Sequence, residues 1–339
     1  MSQPSNPAQR IAFCGVDVSA ATLAVALQQQ DQPLQQHEFA NTVAGHQALI
    51  AWLGKHGSTA RVSLESTGIY SMDLALALSA APGIELAVLN PRAVHRFAQT
   101  FGRSKTDRAD AVALSEYSLR MPFTPWRAPS RIQLQLRTLS RHIDGLTAEH
   151  TRSNNRLHTA QASACTPSPV LKDLKRALAS LHKRILKLRR DAIALIHSDP
   201  LLHQRFQLLT AMPGIAEISA LQLLAETALL SPDMSVRQWV AHSGLDPAHQ
   251  VSGTSVKRPS RISRAGNRHL RRVLYMPALV AIRRDPHIQA FYQNLLQRHK
   301  AKMQALIAVA RKLLHAIYGI FKSNTPYDGR KLFPNLIPS

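Results

Sequence analysis

The feature that most constrains the fold of this chain is a run of apolar residues at alternating spacings of three and four. Leu171, Leu174, Leu178, Leu181, Ile185, Leu188, Ala192 and Leu195 keep this period without a break. Such a period puts every member on one stripe of an α-helix, the seam of a coiled coil. Upstream, Ile132, Leu136, Leu139, Ile143 and Leu146 do the same, and the register continues through polar His150 and Ser153 to Leu157. Between the two runs lies Ser163-Ala164-Cys165-Thr166-Pro167-Ser168-Pro169, which neither helix can cross. The pattern predicts two long helices, paired as a hairpin or with another subunit. Burial of both in one monomeric core is the plainer alternative.

This helical stretch separates two regions of different character. Residues 1–120 hold 9 Lys and Arg against 9 Asp and Glu, whereas residues 121–339 hold 33 against 11. The whole formal excess of +22 therefore lies downstream, and it predicts a polyanionic partner, with nucleic acid first. An anionic membrane is the poorer fit: no stretch approaches about 18 uncharged apolar residues, and the opening Met-Ser-Gln-Pro-Ser-Asn-Pro lacks the apolar core of a signal peptide. A cytosolic protein is expected. Two cysteines, Cys14 and Cys165, imply neither a disulfide framework nor a zinc site.

Upstream, the periodicity reads as strands at 11–18, 20–28 and 36–42, a helix at 43–55 and a strand at 61–65. A helix opening near Gly68, a strand at 84–89 and a helix from 92 to 101 follow. Thr106 then caps a helix from Asp107 toward Arg120. This βββαβαβα order predicts a mixed sheet with helices on both faces. The expected class is α/β plus α, in three domains: residues 1–125, a helical hairpin at 126–204, and a mainly helical region at 205–339. In the last, Leu208 to Ile215 leads through Met212-Pro213-Gly214 into a second helix, resembling a helix-hairpin-helix, whose turn offers N–H groups to a phosphate; an ordinary helix joint is the open alternative.

Acids are scarce, so their positions are informative. Asp17 and Glu65 each sit where an apolar strand ends, and Asp107 and Asp110 share one helix face through their i, i+3 spacing. Converging oxygen ligands of this kind suit divalent cations. Their plain alternatives are a turn cap, an arginine pair and a favourable helix N-terminus. Farther on, Lys257, Arg258, Arg261, Arg264, Arg268, Arg271 and Arg272 fall within sixteen residues that contain no acid, a density that suits phosphates. Asn267 onward reads as a helix directing Leu270, Val273, Leu274 and Met276 inward. Ser252, Ser255, Ser260 and Ser263 are nucleophile candidates that spacing alone does not separate.

Taken in order, Gly15-Val16-Asp17-Val18-Ser19, Glu65-Ser66-Thr67-Gly68-Ile69-Tyr70, Asn90-Pro91, Lys105-Thr106-Asp107-Arg108-Ala109-Asp110-Ala111 and Met212-Pro213-Gly214-Ile215 resemble the DEDD-type insertion-sequence transposases of the one-ten family, with its eleven-eleven subgroup. Ser243-Gly244-Leu245, Ser252-Gly253-Thr254-Ser255 and Gly266-Asn267-Arg268-His269-Leu270-Arg271-Arg272 continue the order, so the likeness runs from about residue 11 to about 325. The resemblance implies a ribonuclease H-like, resolvase-type N-terminal domain with Asp17, Glu65, Asp107 and Asp110 as ligands for Mg²⁺, two ions or Mn²⁺ in their place. It implies a nucleophilic serine at Ser252, donor and target duplex DNA as substrates, and a structured guide RNA that reads sequence by pairing. It further implies a dimer or tetramer in which one subunit's acids face another's serine. Lys105 joins the basic segment as an expected nucleic-acid contact.

Three other readings stay open at this level. An actin-like kinase shares the Gly15-to-Ser19 strand and turn, but with 14 glycines no second phosphate loop is apparent. A junction resolvase would hydrolyse and never rejoin. A non-catalytic nucleic-acid-binding protein would use the acids structurally.

Overall fold

The structure is a computed structural model, and it describes residues 11–30, 32–56, 59–66, 68, 70–100, 106–252 and 256–333. At 249–252 and 256–260 only the backbone is described. The chain divides into two compact units, Met1–Ala128 and Pro129–Ser339.

The first unit is built on five strands: β1 (Ile11–Val18), β2 (Thr22–Gln28), β3 (Gln35–Ala40), β4 (Thr59–Glu65) and β5 (Ile84–Leu89). Helices α1 (Val43–Gly54), α2 (Met72–Ala80), α3 (Pro91–Ala98) and α4 (Asp107–Arg120) complete it. The strand order is β3-β2-β1-β4-β5, antiparallel among the first three and parallel from β1 through β4 to β5. The mixed α/β unit expected from the sequence is therefore present, although α2 begins at Met72 after Ser71, later than Gly68.

Strand alternation sorts the side chains onto two faces. Cys14, Val16, Leu23, Val25, Val62 and Leu64 pack with Leu49 and Leu53 of α1 and Leu74 and Leu78 of α2. The other face is floored by small residues, Gly15, Ala24 and Ala26, and α4 lies on it through Ala111. A Cβ on Gly15 would stand 2.1 Å from the Ala111 carbonyl oxygen and 2.3 Å from the Ser115 nitrogen, so only glycine allows this approach.

The second unit opens with two long helices, α5 (Arg131–Gln161) and α6 (Ser168–His197), joined by a short loop. Ser130 starts α5 with a reciprocal cap: its Oγ accepts from the Gln133 N–H, and Gln133 Oε1 accepts from the Ser130 N–H. Pro169 falls in the first turn of α6, where a missing N–H costs nothing. Helices α7 (Pro200–Thr210), α8 (Glu217–Thr227) and α9 (Val236–Ser243) follow, then the antiparallel pair β6 (Pro247–Ser252) and β7 (Val256–Ile262). The chain continues with α10 (Arg268–Val273), α11 (Tyr275–Arg284), α12 (Pro286–Gln297), α13 (Lys302–Ser323) and α14 (Gly329–Leu332).

Leu136, Ile143, Leu146, Leu181 and Ile185 share one core with Leu209, Leu223, Leu270 and Leu313. The hairpin thus belongs to the same compact unit as the helices after residue 204. Helix α13 is apolar and long enough to span a membrane by length and composition alone, but Leu306, Val309, Leu313, Leu314 and Ile317 are buried in this core.

One glycine gains a packing reason, and one local expectation changes. The Pro213-Gly214 turn between α7 and α8 has Gly214 at φ +89°, and a Cβ there would lie 2.6 Å from the Pro277 carbonyl oxygen. Close packing on α11 thus dictates the glycine. Met276 is 58% exposed, not inward, because the helix breaks at Leu274 and α11 restarts with Pro277 and Ala278 facing the core.

Candidate active site

Strands β1 and β4 run parallel with Gly15 opposite Ser63 and Val16 opposite Leu64. One residue farther along, Asp17 stands beside Glu65, on the same face as Gly15. Adjacent strands lie about 4.8 Å apart, so the two carboxylates leave neighbouring strand ends side by side. Because α4 rests on Gly15 through Ala111, its first turn, which carries Asp107 and Asp110, overhangs the same end of the sheet. Thr106 fixes that turn by accepting the Ala109 N–H on its side-chain oxygen.

The electrostatics report the convergence. Burial first, and then the negative charges of Asp110, Asp107 and Glu65, together push the Asp17 carboxyl up to about 6 from an ordinary 3.8. A hydrogen bond from the Val18 backbone opposes them. Asp107 is exposed, while Asp110 and Glu65 are half-buried. Among the described residues no three His, Cys, Asp or Glu side chains stand at metal-ligand spacing, so the acids meet at Coulombic range and not yet at coordination range. The all-oxygen donor set and the mutual repulsion at Asp17 fit a hard divalent cation, which would relieve that repulsion.

A polar clasp holds the two loops that follow the strand-end acids. The Asn41 side-chain amide donates to the Ser19 carbonyl at 2.8 Å and to the Tyr70 carbonyl at 3.2 Å, tying the β1–β2 turn to the segment after Glu65. Its Oδ1 lies 2.8 Å from His46 Nε2. Since the two carbonyls require the NH₂ group, Oδ1 is an acceptor and His46 carries its proton on Nε2. Burial lowers the His46 pKa against the opposing field of Asp73, so the ring is held neutral. Asn41 reads in the sequence only as a polar residue before the Thr42 helix cap, and nothing in its spacing reveals the clasp.

In the second unit Ser252 is the last residue of β6, paired with Val256 of β7, so it stands at the turn end of a two-stranded ribbon. The side chains of Ser252, Ser260, Lys257 and Arg258 are outside the description, and Lys105 and Ser255 lie outside the described residues. Arg261, Arg264, Arg268 and Arg272 are exposed. Arg271 is half-buried and donates from Nη1 to the Ser243 carbonyl at 2.8 Å, a structural contact. Ser263 bonds Asp246 through its hydroxyl, which fastens the base of the ribbon.

Where α5, α8 and α10 meet lies a buried polar network absent from the sequence reading. Glu226 of α8, with a side chain 3% exposed, accepts from Arg141 Nε at 2.8 Å and Nη2 at 2.9 Å, and from Asn267 Nδ2 at 2.6 Å. Asn267 also caps α10 by accepting the His269 and Leu270 N–H groups, and His269 pairs with Asp144 of α5. Gly266 at φ +105° leaves no room for a Cβ against the His242 carbonyl. The Gly266-Asn267-Arg268-His269 motif therefore fastens α10 to α5 and α8. The available signal was Glu226 itself, which directly follows the apolar run Leu223-Leu224-Ala225 of α8.

The sequence is similar to known proteins over most of its length. A family model described as "Transposase" matches residues 14–163, and one described as "Transposase IS116/IS110/IS902 family" matches residues 206–293. The chain is 28% identical over 323 residues to a pilin gene-inverting protein of Moraxella bovis, covering 94% of this chain and 98% of that protein. It is 24% identical over 332 residues to an uncharacterized 42 kDa protein of the insertion element IS900 from Mycobacterium paratuberculosis, across 75% of this chain and 81% of the relative. A probable family 20 transposase of Pseudomonas aeruginosa is 30% identical over 180 residues, about half of each chain.

Proposed function

Because this chain belongs to the IS116/IS110/IS902 family of transposases, a DNA recombinase family, we propose that it mobilises or inverts an insertion sequence through the acid cluster of its first unit and a serine of its second. The observation that carries the reading is the parallel register that sets Asp17 beside Glu65 under the first turn of α4, with Asp17 in the field of all three other acids.

Asp17, Glu65, Asp107 and Asp110 would hold Mg²⁺, two ions or Mn²⁺ in their place. When bound, the metal supplies Lewis-acid polarisation of the phosphodiester and neutralises charge on its oxygens during in-line displacement. The chain's own residues supply the remainder. Ser252 Oγ gives up its proton and bonds to phosphorus as the bond to the leaving deoxyribose oxygen breaks, and that oxygen takes up a proton. The phosphoryl bond is kept as a serine ester, so a different DNA hydroxyl can displace the serine without nucleotide hydrolysis. Exposed Arg261, Arg264, Arg268 and Arg272 offset the negative charge of the approaching backbones.

The same family reading assigns sequence choice to a structured RNA that pairs with donor and target DNA. It assigns α5 and α6 to a coiled coil that joins subunits, a ribonuclease H-like ancestry to the first unit, and the bacterial cytosol or nucleoid as the place of action.

The test is recombination of a plasmid-borne element in cells, together with trapping of protein–DNA adducts. Asp17→Asn and Ser252→Ala each abolish recombination in this reading, and Ser252→Ala also abolishes the covalent adduct. An adduct that persists in Ser252→Ala overturns the nucleophile. Cleaved ends with free phosphate and no adduct in the wild type make the protein a hydrolytic nuclease.

A further inference from the structure

Helix α6 carries a second basic feature on the side away from its packing seam. Leu181, Ile185 and Ala192 are buried against the rest of the unit. At 3.6 residues per turn, Lys172, Arg176, Lys183, Lys187 and Arg190 fall about 180° around the helix from them. All five are exposed. The acids of this helix, Asp173 and Asp191, lie to one flank, and among the described residues neither forms an ion pair with the five.

A basic helix face is ordinarily a solvated one, and one feature argues against that here. The five cations share a face that carries no acid, and their single i, i+4 acid–base spacing, Lys187 with Asp191, does not close into an ion pair among the described residues. The like charges therefore repel one another along the face unless something outside the helix neutralises them.

Their spacing suggests what that is. At 1.5 Å per residue the stripe is about 27 Å long, and it falls into two groups, Lys172 with Arg176 and Lys183 with Lys187 and Arg190, whose centres are about 19 Å apart. Phosphates on opposite sides of a B-form major groove, about 12 Å wide between their surfaces, are separated by a similar distance centre to centre. A-form RNA has a narrow major groove that does not offer this span. We infer that the outer face of α6 binds duplex DNA across its major groove, contacting the phosphates on both sides, as a surface separate from the ribbon and α10.

The test uses the full-length protein freed of nucleic acid, a 30-base-pair DNA duplex of arbitrary sequence and an RNA duplex of equal length. In K172Q/R176Q/K183Q/K187Q/R190Q the slope of log affinity against log salt is expected to fall by about 4 to 5, because each lost phosphate contact removes roughly 0.9. DNA affinity at 150 mM salt drops at least tenfold, RNA-duplex affinity changes less than twofold, and the helical circular dichroism is kept. A control with the same charge loss elsewhere in the unit, R283Q/R284Q/R298Q/K300Q/K302Q, and the charge-preserving K172R/K183R/K187R both keep at least half the wild-type DNA affinity. An unchanged DNA slope in the fivefold variant, an equal loss in the control, or a parallel loss for RNA overturns the inference. If the fivefold variant is unstable, K172Q/R176Q alone is read against the same outcomes, with an expected slope change of about 1 to 2.

Discussion

Gly15 of β1 and Ala111 of α4 meet backbone to backbone: the site a Gly15 Cβ would take is 2.1 Å from the Ala111 carbonyl oxygen. This contact holds Asp107 and Asp110 over the strand ends that bear Asp17 and Glu65. Gly15→Ala must lift α4 or bend β1, with an expected cost of about 3 kcal/mol. Urea unfolding of the full chain measures that cost. Recombination falls in parallel even in cells cold enough to keep the variant folded, whereas a stable and active Gly15→Ala protein contradicts the assigned role of the contact.

Asp17 stabilises nothing when ionised in the metal-free protein. Its folded pKa of about 6 lies above the ordinary 3.8, so the folded state binds more protons between these values and stability falls as pH rises through that window. Asp17→Asn removes the slope. Discounted for solvent screening, it raises metal-free stability at pH 8 by about 1–2 kcal/mol while recombination is lost. Thermal melts in chelator from pH 4 to 8 check the sign; a variant less stable than the wild type at pH 8 refutes it.

Asn41 offers a test by chemical character. Asn41→Ala removes two donors and costs about 1–2 kcal/mol. Asn41→Asp presents a carboxylate, which can only accept, to the Ser19 and Tyr70 carbonyls and is expected to be worse than alanine. If aspartate proves equal to or better than alanine, in melting temperature and recombination alike, the amide does not clasp the loops.

Glu226 and His242 set the acid limit of the second unit. Burial raises the Glu226 carboxyl, but hydrogen bonds from Arg141 and Asn267 outweigh it and leave a net lowering, so its contribution is full above about 4.5 and is lost as pH falls through the lowered folded value. Burial lowers the His242 pKa, with Glu226 opposing, so its neutral form contributes fully above 6.5 and begins to be lost as pH falls below it. Denaturant midpoints should decline from pH 6.5 downward and more steeply below 4.5. His242→Gln flattens the first part of that decline, and an unchanged profile excludes the histidine.

Glu226→Ala leaves Arg141 and Asn267 without their shared acceptor. Arg141 is 41% exposed and recovers some water, so the expected cost is about 2–4 kcal/mol. The melting temperature of the second unit falls by roughly 5–12 °C. Adding Arg141→Met recovers part of the loss if the orphaned guanidinium is its source, and a double variant no better than the single one points elsewhere.

The elements of both units are legible in the chain wherever the physics is local. The helical period of 171–195, the Thr106 cap before Asp107 and the alternation of 11–18 each depend on neighbours a few residues away, and each appears where expected. Legibility ends where a distant backbone decides. The Pro213-Gly214 turn between two helices is legible, but that Gly214 is the point where α11 packs is not, and Met276 loses its inward register to a break at Leu274. The ribbon at 247–262 is not legible as strands in the sequence, because its arginines and prolines mask the strand alternation.

The sequence by itself determined which four acids stand at element ends, where the positive charge accumulates and which stripes of the long helices are apolar, since these follow from residue order and backbone periodicity. Only the tertiary structure decided that Asp17 and Glu65 become neighbours, through the parallel register of β1 and β4, and that Asn41, His46 and Glu226 are working residues. Those facts depend on groups brought together from far along the chain, 22 positions for Asn41 with Ser19 and 85 for Arg141 with Glu226. Such encounters are set by the packing of whole layers, in which the absence of one methyl group at Gly15 determines how closely a helix can approach a sheet.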